Sequence, residues 1–131
     1  MQQNITINTN KKRQVIDLTD RITTQLQGGD GVVTVFIKHT TAALTTADLD
    51  PGTDLDLLDA LENLIPPRQW RHPHNPEHAP DHLLASIIGP SITVPFQNRT
   101  LLLGTWQRIV LIEFDGPRER EVVVSVRLFS G

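Results

Sequence analysis

Four β-rich runs fill the last third of this chain and limit what it can fold into. They are Ser91 to Phe96, Thr100 to Leu103, Arg108 to Phe114 and Glu121 to Leu128. The sequences between them, Gln-Asn, Gly-Thr and Asp-Gly-Pro-Arg, are rich in turn-forming residues, and short β-rich runs bounded in this way are typical of strands. We therefore expect consecutive antiparallel strands over this part of the chain.

The first part of the chain adds further strands. Ile5 and Ile7 alternate with polar neighbours, and the stretch from Val15 to Leu18 has a similar β-like character. The run from Val32 to Ile37 is strongly β-branched and predicts a strand that delivers Lys38 and His39 to its end. A rigid scaffold would hold functional side chains at such a position.

Three short helices are expected among the strands. Thr19 can cap the first, and leucine and isoleucine recur at helical spacing from about 52 to 65, where Pro66-Pro67 ends the second. The third has Pro80 in its first turn and stops at Gly89-Pro90. The predicted fold class is α+β, a single domain over residues 1–131 with mainly antiparallel β-sheet, one face of which the helices cover.

Composition excludes several classes of function. A net charge of -3 gives no basic face for nucleic acid, so we expect no nucleic-acid partner. The absence of cysteine excludes disulfides, thiolate metal sites and a cysteine nucleophile. No apolar stretch approaches the roughly 20 residues of a membrane helix, and the first residues do not resemble a signal peptide. The sequence therefore predicts a cytoplasmic protein with no membrane partner.

The histidines are confined to one part of the chain, between positions 39 and 82. His39 opens His-Thr-Thr-Ala-Ala, and His72, His74, His78 and His82 crowd a segment that three prolines interrupt. Imidazole is the commonest transition-metal ligand and titrates near neutral pH, so this clustering suggests a site. Because interior prolines break helices, we expect His82 on the third helix and the other three on a polar loop before it.

Three imidazoles can bind a metal and leave coordination positions open for water or substrate, as a catalytic metal needs. The candidates are His39, His72 and His82, and the expected cofactor is a divalent metal ion, zinc or another transition metal. Spacing alone does not separate this interpretation from scattered polar loop residues or capping groups. The spacing fits no named zinc signature.

Other polar residues suggest weaker candidates. Glu113 alternates with apolar neighbours, so its carboxylate either enters the inner face of the sheet, where it needs a partner or a proton, or points to solvent. Ser86 lacks the context of a catalytic serine, which favours a helix or cap hydroxyl. Small anions can bind through local arginines, although each is expected to be a solvated surface group: Arg68, Arg71, Arg108, Arg118 and Arg120.

Six separated motifs follow one another along the chain. They are His39-Thr-Thr-Ala-Ala-Leu-Thr, Asp50-Pro51, Arg71-His72, Asp81-His82-x-x-Ala85-Ser86-x-x-Gly89-Pro90-Ser91, Gly104-Thr-Trp-Gln107 and Glu113-Phe-Asp-Gly-Pro-Arg118. Together they resemble the YjbQ family over most of the chain. The resemblance implies a small α+β domain that forms a homotrimer and has weak thiamine-phosphate synthase activity, with a cleft that could lie between subunits.

The resemblance also implies roles for individual residues. His39, His72 and His82 match the recurring histidines of the family and are expected to be catalytic and metal-binding, whereas His74 and His78 have no such support. Glu113 is expected to be a further catalytic residue. The expected ligand-binding residues are Arg71, Ser86, Trp106, Gln107, Arg108 and Asp115.

At two places the sequence departs from the family pattern, and both departures remove groups that would support the expected activity. Leu84 replaces a lysine of the family, and the stretch Thr46 to Leu49 replaces a polar cluster. Two hypotheses follow. The first is a metal-dependent transferase that joins a pyrimidine diphosphate to a thiazole phosphate and releases diphosphate. The second, which the departures favour, is a non-catalytic homotrimer that binds a metal or a small ligand. A small phosphorylated molecule is the candidate partner besides the protein itself.

Overall fold

A computed structural model describes residues 1–73 and 75–130, so His74 lies outside the described residues. The strands are β1 (Gln2–Asn8), β2 (Gln14–Asp17), β3 (Asp30–Ile37), β4 (Ala42–Ala47), β5 (Ser91–Gln97), β6 (Thr100–Leu101), β7 (Arg108–Glu113) and β8 (Glu119–Leu128). The helices are α1 (Thr19–Thr23), α2 (Thr53–Glu62) and α3 (Ala79–Ile88), and a 3₁₀ turn at Pro76–His78 leads into α3.

The described strands form two antiparallel sheets. A five-stranded sheet has the order β1-β8-β3-β5-β6, and a three-stranded sheet has the order β2-β7-β4. The α+β class with mainly antiparallel strands is confirmed. Of the consecutive strands expected in the last third of the chain, β5 and β6 do pair with each other, but the strands after them do not continue that pairing. β7 and β8 follow each other in sequence, yet β7 pairs with β2 and β4 while β8 pairs with β1 and β3.

The reason for two sheets lies in β7, whose residues are apolar at both parities. Ile109 and Leu111 belong to the core between the two sheets, whereas Val110 and Ile112 belong to a second core under α2 and α3. A strand that buries both faces needs an apolar layer on each side. Helices α2 and α3 accordingly cover one face of the three-stranded sheet, and the five-stranded sheet packs on its other face, where Ile22 of α1 joins the core between the sheets.

β4 was not expected from the sequence. The segment Ala42–Ala47 is weakly β-forming by composition, but Ala42, Ala43 and Leu44 are all buried, and the strand pairs with β7 along its whole length. Small side chains fit here because this strand lies between the two cores. Tertiary packing therefore overrides a low intrinsic β propensity.

The helices mostly follow the sequence prediction. The second helix is shorter than expected, Thr53–Glu62 rather than about 52 to 65, and Thr19 is the first residue of α1 rather than its cap. α3 has proline in its first turn and ends at Ile88; Gly89, which has a φ of 108°, follows it, as the Gly89-Pro90 stop signal indicated. Within the described part of the chain, no helix combines the length and apolarity needed to cross a bilayer.

One glycine in β3 gives a direct test of the sheet packing. A Cβ atom at Gly31 would lie 2.1 Å from the Arg127 carbonyl oxygen of β8, so we expect Gly31→Ala to lower the free energy of unfolding by about 1–3 kcal/mol. Urea denaturation measures the change. Gly28→Ala is the matched control, because a Cβ there meets no atom within 4 Å; equal losses in both variants would contradict the packing described.

Candidate functional site

An open pocket of about 720 Å³ brings together four of the five histidines. This cavity, the histidine pocket, is bounded by the segment after β3, by the loop before α3 that carries His72 (the histidine loop), by the start of α3 and by the turn between β7 and β8. The residues that line it are polar or charged except for Pro117: Lys38, His39, Thr40, Thr41, His72, Asn75, His78, His82, Asp115, Pro117, Arg118, Glu119 and Arg120. A volume of this size is typical of sites for small molecules.

His39 is held by the backbone of the neighbouring strand. Its Nε2 accepts a hydrogen bond of 2.9 Å from the Glu121 N–H of β8, at the point where β3 has ended. Burial lowers the pKa of His39, and the positive charge of Arg120 lowers it further. A neutral imidazole that accepts through Nε2 carries its proton on Nδ1, so His39 presents an N–H donor rather than a lone pair.

His72 and His82 stack face to face. Their ring centroids are 4.7 Å apart and the ring planes differ by 28°. Within residues 1–73 and 75–130, no group of three or more histidine, aspartate or glutamate side chains converges closely enough to hold a metal ion. The three histidines are therefore neighbours in one pocket, but in this arrangement they do not form a set of ligands around a common point.

Glu113 and Arg120 form a buried ion pair beneath the pocket. Arg120 Nε donates to Glu113 Oε1 at 2.8 Å, and its Nη2 donates to Glu113 Oε2 and to the Thr41 hydroxyl. The Thr9 hydroxyl and the Asp115 N–H also donate to this carboxylate. Burial raises the pKa of Glu113, but the hydrogen bonds from Arg120, the Asp115 N–H and Thr9 outweigh it and hold the pKa below its ordinary value.

The sequence left open whether Glu113 enters the inner face of the sheet or points to solvent, and the ion pair with Arg120 shows that it is buried. The side chain is fully buried and has its partner, and it does not line the pocket. Each carboxylate oxygen already accepts two hydrogen bonds, so Glu113 has little capacity left to bind a ligand or take a proton. The expectation that Arg120 is a solvated surface group is wrong, because its side chain is 2 % exposed.

Asp115 is the second carboxylate placed at the site by the sequence, and it does line the pocket. Lys12 Nζ and Arg118 Nη2 each lie 3.0 Å from it, and His78 Nδ1 lies at 3.8 Å. Burial raises the pKa of Asp115, but hydrogen bonds from Lys12 and Arg118 overcome this and lower it. Lys12 also reaches Asp81 in the first turn of α3 at 2.8 Å, which joins the turn after β7 to that helix.

Several residues expected from the sequence do not line this pocket. Trp106, Gln107 and Arg108 lie beside the Thr46 to Leu49 segment, in smaller depressions elsewhere on the chain. Ser86 is exposed on α3, where its hydroxyl donates to the His82 carbonyl oxygen at 2.9 Å. Arg71 is exposed next to the histidine loop and is not part of the lining.

Other lining residues were not predicted as site residues. Lys38, Asn75 and Arg118 line the pocket, as does His78, which had no support from the family resemblance. The signal for Arg120 was present in the sequence: it shares the parity of Val122, Val124 and Val126, so an inward side chain followed from strand alternation. For the loop residues no such periodic signal exists.

The buried pair predicts a pH-dependent loss of stability. Arg120→Met leaves Glu113 buried without its cation, and we expect the free energy of unfolding to fall by about 3–5 kcal/mol at pH 7. Because the folded pKa of Glu113 lies below its ordinary value of 4.5, the pair stabilises the protein above that pH and ceases to do so as pH falls. The difference between the variant and the wild type should therefore shrink on acidification.

Urea denaturation between pH 7 and pH 3 measures this difference. Lys38→Met is the matched control, because Lys38 and Glu121 form an exposed pair at 3.5 Å that should contribute no more than about 1 kcal/mol. A loss for Arg120→Met that is as small as the control, or independent of pH, would contradict the assignment.

Comparison with known proteins agrees with this fold across almost the whole chain. The family described as UPF0047 protein YjbQ-like matches residues 3–127. A UPF0047 protein of Archaeoglobus fulgidus is 40% identical over 122 residues, which are 92% of this chain and 97% of that protein.

Solved structures show the same architecture. A YbjQ-like protein of unknown function from Sulfolobus solfataricus P2 has a TM-score of 0.87 and 30% identity, covering 96% of this chain and 95% of its own. A hypothetical protein from Aeropyrum pernix K1 has a TM-score of 0.86 and 33% identity, covering 98% of both chains. With this fold and this extent of sequence similarity, the chain belongs to the UPF0047 (YjbQ-like) protein family.

Proposed function

We propose that the histidine pocket binds a small phosphorylated molecule. The observation that carries the proposal is the concentration of donors in its lining: imidazole rings, threonine hydroxyls, the Lys38 ammonium and the guanidinium groups of Arg118 and Arg120. The chain as a whole has a net charge of -3, yet among the lining residues lysine and arginine outnumber aspartate and glutamate. Such groups recognise phosphate oxygens through charge-assisted hydrogen bonds.

The transferase activity implied by the family resemblance would use the same groups. Joining a pyrimidine diphosphate to a thiazole phosphate forms a carbon–nitrogen bond, while the carbon–oxygen bond to the diphosphate breaks and the electron pair leaves with that group. Donors already oriented toward the departing diphosphate stabilise its developing charge. In this proposal Lys38 and Arg118 hold phosphate at the rim, and His72 and His82 donate to the departing diphosphate.

Non-catalytic ligand binding is the second candidate, and one observation favours it. The carboxylates that the sequence assigned to the site, Glu113 and Asp115, are both engaged by cations. Neither is placed to act as a general base without losing those contacts. The two departures from the family pattern do not decide the question, because Leu84 is buried in the core under the helices and Thr46 lies beside Gln107, outside the pocket.

Calorimetric titration with inorganic pyrophosphate tests the binding proposal. We expect His82→Ala to weaken binding by about tenfold or more, the loss of one charge-assisted contact. Phe129→Ala is the matched control, since Phe129 is also an aromatic side chain but is 65% exposed and lies outside the pocket, and the affinity of this variant should equal that of the wild type. Absence of pyrophosphate binding to the wild type would refute the proposal.

An activity assay with both substrates then separates the two candidates. Thiamine phosphate formed by the wild type above the His82→Ala background supports the transferase. Pyrophosphate binding with no product, with or without added divalent metal, supports the non-catalytic alternative.

The metal remains a prediction with a test of its own. If His39, His72 and His82 bind a divalent ion, elemental analysis of untagged protein should find near-stoichiometric metal that a variant with alanine at all three positions lacks. Equal metal content in both proteins, or none after reconstitution, would exclude the three-histidine site. The homotrimer and the cytoplasmic location expected from the sequence also stay predictions.

A further inference from the structure

Arg120 is buried, yet it belongs to the lining of the pocket. Its side chain is 2 % exposed, and three acceptors fix its guanidinium group: the Glu113 carboxylate, the Thr41 hydroxyl and the Thr41 carbonyl oxygen. These contacts use Nε and Nη2. The orientation of the planar group is therefore determined before any ligand arrives.

The third guanidinium nitrogen of Arg120, Nη1, takes no part in these hydrogen bonds. It makes no hydrogen bond with any residue in the described part of the chain, although the rest of the group is saturated. Within the described residues, the one fully buried side-chain polar atom without a hydrogen-bond partner is Arg13 Nη1. Arg120 Nη1 has no partner either, so its absence from that set means that it is accessible to solvent. Nη1 is thus reached from outside the core, and the pocket is where Arg120 meets open space.

His39 supplies a second oriented donor. Because Nε2 accepts the Glu121 N–H, the proton of the neutral ring resides on Nδ1, the nitrogen that remains for a ligand. His39 and Arg120 line the same pocket, and Thr41, which holds Arg120, follows His39 by two residues. The two donors are therefore fixed by neighbouring parts of one hydrogen-bonded framework.

We propose that Arg120 Nη1 and His39 Nδ1–H form an oxyanion subsite at the inner end of the histidine pocket, which receives a phosphate group of the ligand. The inference rests on the proposed function and specifies how the pocket recognises its ligand. A phosphate oxygen accepts from both donors, while Glu113 lies behind the guanidinium with its own oxygens already hydrogen-bonded. In this assignment His39 is an anion-binding donor and not a metal ligand.

The tautomer of His39 gives a test that needs no ligand. In ¹⁵N-histidine NMR of the wild-type protein at pH 7, the His39 resonances, assigned by comparison with His39→Gln, should show the proton on Nδ1. A proton on Nε2, or a charged ring, overturns the proposal. This result does not depend on whether phosphorylated molecules bind.

Pyrophosphate titration tests the subsite itself. Arg120→Lys retains the charge but removes Nη1, and His39→Phe removes the Nδ1–H donor, so each should weaken binding by about tenfold or more. His39→Gln offers an amide oxygen for the Glu121 N–H and an amide N–H for the phosphate, and it should restore most of the affinity. Phe129→Ala serves as the control outside the pocket.

The outcomes distinguish this inference from the proposed function. If the wild type does not bind pyrophosphate, both fail. If it binds, and His82→Ala weakens binding while Arg120→Lys and His39→Phe do not, only the oxyanion subsite fails. Circular dichroism shows whether each variant is folded, and if Arg120→Lys is not, the pair His39→Phe and His39→Gln decides.

Discussion

The ion pair between Glu113 and Arg120 is the interaction on which the rest of the structure depends. Glu113 closes β7 in the three-stranded sheet, and Arg120 lies near the start of β8 in the five-stranded sheet. Two unpaired charges in this position would each be expensive to bury, so the sheets can pack here only when the pair forms. Two threonine hydroxyls complete the hydrogen-bond network: Thr9, which follows β1, donates to Glu113, and Thr41, which precedes β4, accepts from Arg120.

The same pair determines where the pocket can be. The turn that joins Glu113 to Arg120 carries Asp115 and Arg118, and both line the pocket. Lys12 and Asp81 tie this turn to α3, which carries His82. The pocket is therefore built from loops, but each loop is anchored to a strand or a helix whose position the two cores fix. Binding groups on a rigid scaffold in this way lose little conformational freedom when a ligand arrives.

Much of this arrangement could be predicted from the sequence, and the exceptions have physical reasons. β-rich runs bounded by turn residues located β5, β7 and β8, and the proline and glycine signals around residues 80 and 89 located α3. Because side chains alternate along a strand, Glu113 shares a face with Ile109 and Leu111, and Arg120 shares a face with Val122, so a buried pair followed from the two strands considered together. The division of the strands between two sheets could not be predicted in this way, because no local sequence pattern indicates that β8 pairs with β1 and β3 rather than with β7. The positions of Trp106 and Gln107 relative to the histidines depended on that pairing.

The order of strands in the larger sheet has a consequence for how the chain folds during synthesis. β8 lies between β1 and β3, so these two strands, which the ribosome completes early, do not pair with each other. Each pairs with β8, which is made more than 80 residues after the end of β3. Until then β1 and β3 expose unpaired edges and apolar faces, which are the features that lead nascent chains to associate wrongly. Cooperative, late closure around β8 is thus the expected folding behaviour, and the buried charge pair at its start completes at the same moment.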